Sequence, residues 1–518
     1  MAADGRPNVV FFIVDDTDHE YLGCYGGAVP TPNLDRLCRS GVRFDRAFCS
    51  SAICQPSRYS YLTGRYAGTC PDPVFLEQQP PDEPASVEFN VYLNADIPSQ
   101  GFLFREAGYR TGFAGKWHVG HTTDLLPVPD FDTDADPDDP EVDAKLRRLQ
   151  AVYQDEVRRT GGYDFADGII WANNGNWPLR ALHDHHIEWS MQKALDFLDT
   201  CDDGRPFLLH YASTCTHGPS ALEGVDRDWR YTPGGKVDPR PEPLPPRTEL
   251  PDRLREMGIE VTDKHVFALW IDDQVGALLD RLDAMGATED TVFVFCSDHN
   301  IEPGKATCYD RGTRVPLIIS AAGLLDGGEM KETLVQNVDL MPTLLDLCSI
   351  EPPEEVPFDG CNLGPLLRGE SVPPRDSLYF EVGYRRAVRT ERWKYIALRF
   401  PERIIRAMQD GEYERAPNHM DREGQPHAQI AMENYPGYYD ADQLYDLESD
   451  PEEQHNLARD PAHAERLETL RTRLETFLKR LPHPYDLSRQ EYLESKEFAE
   501  LARKAREVGT DHISWWNP

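Results

Sequence analysis

The chain contains 518 residues, which is too long for one small hydrophobic core, so we expect two domains. Hydrophobic residues make up 40% of it and aromatic residues 10%, as in ordinary folded globular proteins. The formal net charge is -36, and such a surface repels nucleic acid and anionic lipid. No stretch approaches the ~18 apolar residues that a membrane-spanning helix needs. We therefore expect neither a nucleic acid nor a membrane as a partner.

The N-terminal residues indicate in which compartment the protein is expected. Met1 to Pro7 are polar and lead directly into a strand-like run, so no secretory signal is predicted. We expect a cytoplasmic protein, or a periplasmic or secreted one if a signal segment has been removed. The 11 cysteines are odd in number and widely spaced. This pattern favours buried thiols over a disulfide framework or a zinc site.

Predicted strands and helices alternate along the first part of the chain. A run of β-branched and aromatic residues at 9–14 predicts a strand covered on both faces. A Thr-Pro pair opens a predicted helix at 31–40. Elements of the same two kinds follow: helix 189–198, strand 207–211, helix 266–285 and strand 291–296. The alternation predicts an α/β fold with a large mixed, mostly parallel sheet sandwiched by helices.

The pattern changes at about residue 373. Short strands are predicted at 377–382, 386–390 and 393–399, and a long amphipathic helix at 461–481. We therefore predict an α/β domain at 1–372 and a smaller α+β domain with an antiparallel sheet at 373–518. Residues 124–143 and 231–251 are acidic or proline-rich and are predicted to be surface insertions. Two tryptophans within 511–518 should dock on the body of the protein or on a second subunit, so a homo-oligomer is an open alternative.

Two predicted strands run directly into acidic residues. Asp15 and Asp16 follow the first strand, and Asp298 and His299 follow the strand at 291–296. Ligands of open α/β sheets bind beyond the carboxyl ends of the strands, where these side chains can converge. The carboxylates would repel each other unless they shared a hard cation, for which Ca²⁺ is the first choice and Mg²⁺ or Mn²⁺ the alternatives. Alone, Asp15-Asp16 could instead cap a helix or turn.

A cysteine motif provides the second chemical signal. The chain contains Cys54-Gln55-Pro56-Ser57-Arg58, followed by Leu62-Thr63-Gly64-Arg65. By composition alone, Cys54 would be a buried structural thiol. The two blocks resemble the signature of the type I sulfatases in the alkaline phosphatase superfamily. In that family the cysteine is oxidised to formylglycine by a formylglycine-generating or an anaerobic maturation enzyme, so the resemblance implies such an enzyme as a partner.

The resemblance covers about residues 7–481. Further blocks similar to the family follow in order at 15–16, 22–26, 31–35, 115–120, 216–219, 298–299, 304–305, 311–317, 386–390 and 444–447. One departure is Asn300, where the family usually has glycine. The fourth protein ligand of the metal is therefore His299 or Asn300, and we assign His299.

The resemblance implies an alkaline phosphatase-like fold and a sulfatase, which hydrolyses the S–O bond of a sulfate ester. The metal ligands that it implies are Asp15, Asp16, residue 54, Asp298 and His299. The catalytic residues that it implies are Cys54, Arg58, Lys116, His118, His217 and Lys305. Of these, Arg58, Lys116, His217 and Lys305 would also bind the substrate, and we add His19 as a contact at the rim.

These residue types suit sulfate transfer. Arginine and lysine would neutralise the sulfate so that a nucleophile can approach. One hydroxyl of hydrated formylglycine would attack sulfur, and the other would lose a proton to His118 as sulfate leaves. His217 would protonate the leaving alcohol. The substrate is a small-molecule or carbohydrate ester; the aromatic and amide residues of 171–177 and the histidines of 183–186 would suit a sugar, but they could equally be packing.

Two rival functions stay open at this point. The same scaffold, formylglycine motif and Asp-His pair also suit a phosphonate monoester or phosphodiester hydrolase. A protein in which Cys54 is never oxidised would be a catalytically silent binding protein. Neither the identity of the ester nor exo against endo attack follows from the sequence.

Overall fold

A computed structural model describes residues 5–121, 131–301, 303–321, 323–325, 327–371, 373, 375–417 and 427–508. The tryptophans predicted to dock at 511–518 lie outside the described residues. Within these ranges, no helix combines the length and the apolar character needed to cross a membrane.

The described strands and helices alternate from the start of the chain. The strands are β1 Asn8–Val14, β2 Gly41–Phe44, β3 Ala47–Phe48, β4 Arg110–Lys116, β5 Phe165–Ile170, β6 Phe207–Ala212, β7 Tyr231–Thr232, β8 Gly235–Lys236, β9 Thr291–Ser297, β10 Leu317–Ser320, β11 Glu329–Lys331, β12 Val335–Gln336, β13 Leu378–Val382, β14 Arg385–Arg389, β15 Trp393–Leu398 and β16 Asp442–Asp446. The α-helices are α1 Pro32–Arg39, α2 Cys54–Thr63, α3 Pro73–Gln78, α4 Gln100–Glu106, α5 Pro140–Gly161, α6 Ile187–Asp199, α7 Ala221–Gly224, α8 Leu250–Glu256, α9 Asp263–Ala284, α10 Asp310–Thr313, α11 Leu340–Leu347, α12 Gly364–Leu367, α13 Glu402–Gln409, α14 His427–Asn434, α15 Ala464–Leu478 and α16 Lys496–Arg506.

The main sheet has eight strands in the order β11-β2-β10-β9-β1-β6-β4-β5. Among its described strands, β10 alone runs against the others, since it pairs antiparallel with both β9 and β2. The remaining pairs are parallel. The predicted strands 9–14, 207–211 and 291–296 are β1, β6 and β9, and they are neighbours at the centre of the sheet. This confirms the predicted mixed, mostly parallel sheet.

Helices cover both faces of the main sheet. Side chains alternate along β1, so Val9, Phe11 and Ile13 join one core with α2, α4, α5 and α11. The intervening residues Val10, Phe12 and Val14 join a second core with α1, α6 and α9. A strand buried on both faces reads as a continuous apolar run, which is why β1 is evident in the sequence.

The C-terminal part contains a separate antiparallel sheet in the order β13-β14-β15-β16. It confirms the predicted short strands, and α15 confirms most of the predicted helix at 461–481. Leu470, Leu474 and Leu478 lie on one face of α15 and pack on the sheet beside Tyr395. The boundary between domains at residues 372 and 373 stays a prediction.

The first predicted insertion, 124–143, overlaps the start of a helix. Part of the stretch 124–143 lies outside the described residues, but α5 begins at Pro140. Asp139 caps this helix, because its side chain accepts a hydrogen bond of 2.8 Å from the Glu141 amide. The acidic and proline residues at 139–143 therefore cap and begin α5, and the prediction that 124–143 is an insertion stays a prediction. The second stretch, 231–251, contains the β7–β8 hairpin and the first residues of α8.

Candidate active site

The ends of β1 and β9 place the predicted acidic ligands side by side. The two strands are parallel and in register, so Val14 lies opposite Ser297 and both end at the same edge of the sheet. The Asp16 amide donates to Asp298 Oδ1 over 3.0 Å, and the Asp298 amide donates to the Val14 carbonyl over 3.0 Å. Asp16 has a φ of 58°, a left-handed conformation that is rare without glycine and that concentrates at functional sites.

The N-terminus of α2 presents Cys54 to these carboxylates. Cys54 is the first residue of the helix, and Pro56 fits its first turn because no intrahelical donor is needed there. Arg58 lies one turn further on, so it shares a helix face with Cys54. Gly64 ends the helix at a φ of 68°, which explains the glycine of the Leu-Thr-Gly-Arg block. Both Cys54 and Arg58 are buried.

Arg58 connects two of the acidic side chains. Its Nε lies 3.0 Å from Asp298 Oδ2, and its Nη2 lies 3.3 Å from Asp15 Oδ1. Its Nη1 donates to the Lys116 carbonyl over 3.3 Å. A guanidinium that reaches carboxylates from two strands holds both strand ends in place while keeping a positive charge at the site.

A glycine in β4 aims Lys116 into the same site. A Cβ on Gly115 would lie 2.0 Å from the Ala212 carbonyl oxygen of β6, and Gly115 has a φ of 100°. The register of β4 against β5 shifts at this point, as at a β-bulge, which redirects the following side chain. The Lys116 ammonium contacts Asp15 Oδ2 and donates to Asn173 Oδ1 over 2.6 Å.

Lys305 reaches the site from the segment 304–314, which follows β9. Its ammonium contacts Asp16 Oδ2, and the side chain is buried. Gly304 and Gly312 pack backbone to backbone, because a Cβ on Gly304 would lie 2.2 Å from the Gly312 amide nitrogen. The Ala306 amide donates to the Ala52 carbonyl over 2.8 Å, which ties the segment to the turn before Cys54.

Four of the predicted ligands form a cluster that fits a metal ion. Ligand atoms of Asp15, Asp16, Cys54 and His299 all lie within 4.8 Å of one another. Asp15 Oδ1 and Asp16 Oδ1 are buried and lie 3.3 Å from Arg58 Nη2 and 3.2 Å from His299 Nε2, respectively, but among the described residues neither accepts a well-aligned hydrogen bond. Two such oxygens and one imidazole suit a hard divalent cation such as Ca²⁺. Asp298 is outside this cluster, since Arg58 and backbone amides contact its oxygens, and its role as a ligand stays a prediction.

The charges of the cluster depend on the lysines and Arg58. Burial raises the pKa of Asp15 and Asp16, but Lys116 and Arg58 at Asp15, and Lys305 at Asp16, lower both pKa values well below the usual range. Both carboxylates are therefore ionised near neutral pH and available to a cation.

Burial dominates at Asp298 and Cys54. It raises the pKa of Asp298 to about 6. It also raises the pKa of the Cys54 thiol well above its ordinary value. An unmodified thiol in this geometry is protonated near pH 7 and is a weak nucleophile.

The His299 ring contacts the Cys54 side chain. His299 Nε2 lies 3.2 Å from Cys54 Sγ and 3.2 Å from Asp16 Oδ1. Its Nδ1 is 2.8 Å from the Asn300 carbonyl oxygen, a contact that orients the ring. The Asn300 side chain is not part of the four-residue cluster, and its Oδ1 has no hydrogen-bond partner among the described residues. This geometry favours our choice of His299.

The two predicted proton-transfer histidines lie at the side of the cluster. His217 Nε2 is 3.8 Å from Asp16 Oδ2, and desolvation lowers the pKa of His217 to about 4. The His118 ring stacks on Phe89 at 5.5 Å between centroids. Burial and then Lys116 lower the pKa of His118 well below its ordinary value. Both rings are therefore neutral in the free protein near pH 7, and their roles stay predictions.

His19, the predicted rim contact, lies in a neighbouring cleft. This cleft of about 660 Å³ is also lined by Asn300 and Arg314. Burial lowers the pKa of His19 to about 4, and its Nδ1 has no hydrogen-bond partner in the described part of the chain. Contact between His19 and substrate stays a prediction.

Three residues that have no predicted role, Asn173, Ser57 and Thr216, brace the site. Asn173 accepts from Lys116 and belongs to the stretch 171–177, which was expected to be either rim or packing. Ser57 Oγ donates to the Asp298 carbonyl over 2.5 Å, and Thr216 Oγ1 donates to the Asp16 carbonyl over 2.7 Å. Ser57 lies inside the cysteine motif, which was its one available signal. Trp171 is buried and stacks on Tyr153 at 4.7 Å between ring centroids, which favours packing for this residue.

The sequence pattern of the sulfatase family matches residues 7–350. A second pattern, described as the C-terminal part of N-sulphoglucosamine sulphohydrolase, matches residues 304–409. The chain belongs to the sulfatase family, and thus to the sulfuric ester hydrolases of the alkaline phosphatase-like superfamily.

Individual relatives agree with this family. The chain is similar to human arylsulfatase A, with 28% identity over 505 residues, which cover 88% of this chain and 84% of that protein. It is also similar to an N-acetylglucosamine-6-O-sulfatase of Bacteroides thetaiotaomicron, with 24% identity and 72% of each chain covered. A protein solved in complex with its substrate D-glucosamine-2-N,6-O-disulfate has the same fold, with a TM-score of 0.57, 18% identity, and 95% and 99% of the two chains covered.

Proposed function

We propose that this protein hydrolyses sulfate esters of carbohydrates, using formylglycine formed from Cys54 and a bound Ca²⁺. One observation carries the proposal: a buried Cys54 at the N-terminus of α2 faces ionised Asp15 and Asp16, with Arg58, Lys116 and Lys305 around them. This combination supports the proposal, because the cysteine lies beside carboxylates that could hold a cation and beside positive groups that could bind an anion. The helix N-terminus adds a favourable field for an anion.

The role of each group of site residues follows from its charge. Arg58, Lys116 and Lys305 neutralise the sulfate, so that the negative charge of the substrate does not repel the nucleophile. Ca²⁺, held by Asp15, Asp16 and His299 with Asp298 as a further predicted ligand, would act as a Lewis acid on the sulfate oxygens. The hydrate of formylglycine would supply one hydroxyl that attacks sulfur and another through which sulfate is expelled.

Two histidines would move the protons. As the S–O bond to the alcohol breaks, His217 would donate a proton to the alcohol oxygen, so that a poor leaving group departs as the neutral alcohol. His118 would accept the proton of the second hydroxyl as sulfate departs. The low pKa of His217 describes the free protein, and an anionic substrate beside it favours the protonated ring.

The substrate class is inferred from two sources. The similar N-acetylglucosamine-6-O-sulfatase and the protein solved with a sulfated glucosamine both act on sulfated amino sugars by their descriptions. The surface of this chain is strongly acidic, with a net charge of -36, so a densely sulfated polymer would be repelled at long range. We therefore favour a sulfated mono- or oligosaccharide over a polyanionic chain.

A comparison of matched esters tests the proposal against its rival. We expect kcat/KM to be larger for 4-nitrophenyl sulfate than for 4-nitrophenyl phenylphosphonate. The two esters share a leaving group and differ only in the transferred group, so the ratio of their kcat/KM values reports which group the protein transfers. Sulfated mono- and oligosaccharides, assayed with and without chelator, then identify the natural class. Faster turnover of the phosphonate would replace the sulfatase proposal with the phosphonate hydrolase.

The role of His217 has its own test. His217→Ala should slow hydrolysis of a sugar sulfate by roughly 10²- to 10⁴-fold, because the sugar alkoxide is a poor leaving group that needs a proton. An aryl sulfate needs little protonation and should lose far less. The assay compares kcat for both substrates, with His265→Ala as the control, since His265 contacts the Glu260 carbonyl away from the site. Equal losses on both substrates would remove His217 as the acid.

A further inference from the structure

The segment that carries Lys305 is attached to the C-terminal sheet. Lys305 is followed five positions later by Asp310, the first residue of α10. Between them, the Tyr309 ring stacks on Tyr435 at 3.7 Å, and its hydroxyl donates to Gln443 Oε1 over 2.8 Å. The segment therefore contacts the turn before Cys54 on one side and β16 and its neighbours on the other.

Asp310 lies in a largely buried set of two acidic and two basic side chains, and its own side chain is 16% exposed. We call Asp310, Arg389, Lys394 and Glu453 the Asp310 cluster. Lys394 Nζ lies 2.6 Å from Asp310 Oδ1 and 2.9 Å from Glu453 Oε1. Arg389 Nε lies 3.1 Å from Asp310 Oδ2, and the Asp310 amide donates to Glu453 Oε2 over 2.6 Å. Lys394 is on β15, Arg389 on β14, and Glu453 follows β16, so three parts of the sheet hold one aspartate.

The negative charge of Asp310 is fixed, whereas burial raises the pKa of Glu453 to about 7. Burial raises the pKa of Asp310, but Arg389 and Lys394 lower it to about 2, so the carboxylate stays ionised. The Lys394 side chain is 0% exposed, and Glu453 is 1% exposed. Buried ion pairs add little net stability, because desolvation offsets their attraction. Buried ion pairs are nevertheless favourable only at short distances and in good alignment. The Asp310 cluster is therefore suited to holding the backbone near Asp310 in one position.

We propose that the Asp310 cluster is a positioning device for Lys305, through which the C-terminal sheet sets the place of a sulfate-binding ammonium. The inference rests on the proposed function, in which Lys305 binds the sulfate. The hydrogen bond from Ala306 to Ala52 fixes the segment on the side of Cys54, and Asp310 fixes it on the side of the sheet. With both ends held, Lys305 has little freedom to leave the site. The four members of the cluster are positioning residues and have no part in the chemistry.

A double-mutant cycle tests this inference. Asp310→Asn keeps the shape of the side chain but removes the charge that Arg389 and Lys394 contact. In the otherwise unchanged, formylglycine-containing protein, it should lower kcat/KM for an aryl sulfate roughly 10- to 100-fold, because a small displacement of a binding group has large effects. In a Lys305→Ala background the same change should cost less than about threefold, since nothing remains to be positioned.

The matched control is Asp442→Asn. Asp442 Oδ1 accepts from Arg399 Nη2 over 2.8 Å in the same sheet, but none of its described contacts reaches the Lys305 segment. It should leave kcat/KM nearly unchanged in both backgrounds, even where the melting temperature falls. If Asp310→Asn does not fold, the charge-balanced pair Asp310→Asn/Lys394→Met replaces it in the cycle.

The outcomes separate the two proposals. If Asp310→Asn reduces kcat/KM by the same factor with and without Lys305, the positioning role is wrong and the cluster is only structural. If Lys305→Ala alone leaves sulfate hydrolysis unchanged, the assignment of Lys305 in the proposed function fails. Coupling between the two substitutions, with an unaffected Asp442→Asn control, supports the inference.

Discussion

Cys54→Ala is expected to remove sulfate ester hydrolysis, with a loss of at least about 10⁴-fold in kcat. The methyl group of alanine cannot be oxidised to an aldehyde, so no hydrate and no nucleophilic hydroxyl can form. The fold should survive, because the surrounding charges pair with one another through Arg58, Lys116 and Lys305. Stopped assays on an aryl sulfate and a melting curve of the variant measure both expectations.

Two controls make this result specific. Cys348→Ala removes another buried thiol, at the C-terminal end of α11, and should lower stability while leaving kcat unchanged. Peptide mass spectrometry at residue 54 should find a side chain that has lost sulfur and two hydrogens and gained oxygen in the active protein. Full turnover by a preparation that contains only the intact thiol, or by Cys54→Ala, would contradict the proposed nucleophile.

Asp16→Asn is expected to impair the hydrolysis of aryl and sugar sulfates alike. It removes a negative charge from the cluster of Asp15, Asp16, Cys54 and His299, and it also removes the partner of Lys305. Loss of the cation costs several kcal/mol of transition-state stabilisation, or about 10³-fold in kcat/KM. A second readout does not depend on activity: in the chelated wild-type protein, Ca²⁺ at about 100 times its Kd should add about 2.7 kcal/mol of stability.

The melting temperature therefore separates metal binding from catalysis. Wild-type protein should melt higher after Ca²⁺ is returned to chelated samples, and Asp16→Asn should not respond. Asp272→Asn is the control, since Asp272 is a buried aspartate that accepts hydrogen bonds from the Asn33 and Leu34 amides at the start of α1. It should destabilise the protein but keep the Ca²⁺ response. No effect of chelator or Ca²⁺ on the wild type would contradict the metal site.

The central strands could be predicted, and the outer ones could not. β1, β6 and β9 are buried on both faces, so each appears as a continuous apolar run. β4 carries Gly112 and Gly115, which have low strand propensity and hide the strand in the sequence. Both glycines are required by packing, since a Cβ on Gly112 would lie 2.6 Å from the Phe197 ring. The reversed direction of β10 has no local signal, because it depends on which strands pair with it.

Some features of the candidate site could likewise be predicted from the sequence, and others could not. The ligands at the ends of β1 and β9, and the cysteine motif on α2, could be named from their place after a strand or at a helix start. The contacts of Lys116 with Asn173, and of Lys305 with Asp16, could not be named in this way. They join residues far apart in the chain, and nothing in either local sequence specifies the other.

The sequence by itself determined which chemical groups are available for the site and which strand or helix carries each of them. It could do so because strand burial, helix capping and short motifs are local properties of the sequence. Only the tertiary structure decided which charged and polar groups are neighbours: that His299 contacts Cys54, that Asp298 pairs with Arg58, and that His19 lines a cleft with Asn300. It also joined Asp310 of α10 to Lys394 of β15 and to Glu453, which follows β16. Such contacts form between residues that are distant in sequence. The energy of an ion pair depends on the distance between its charges and on their burial, and a local stretch of sequence specifies neither quantity.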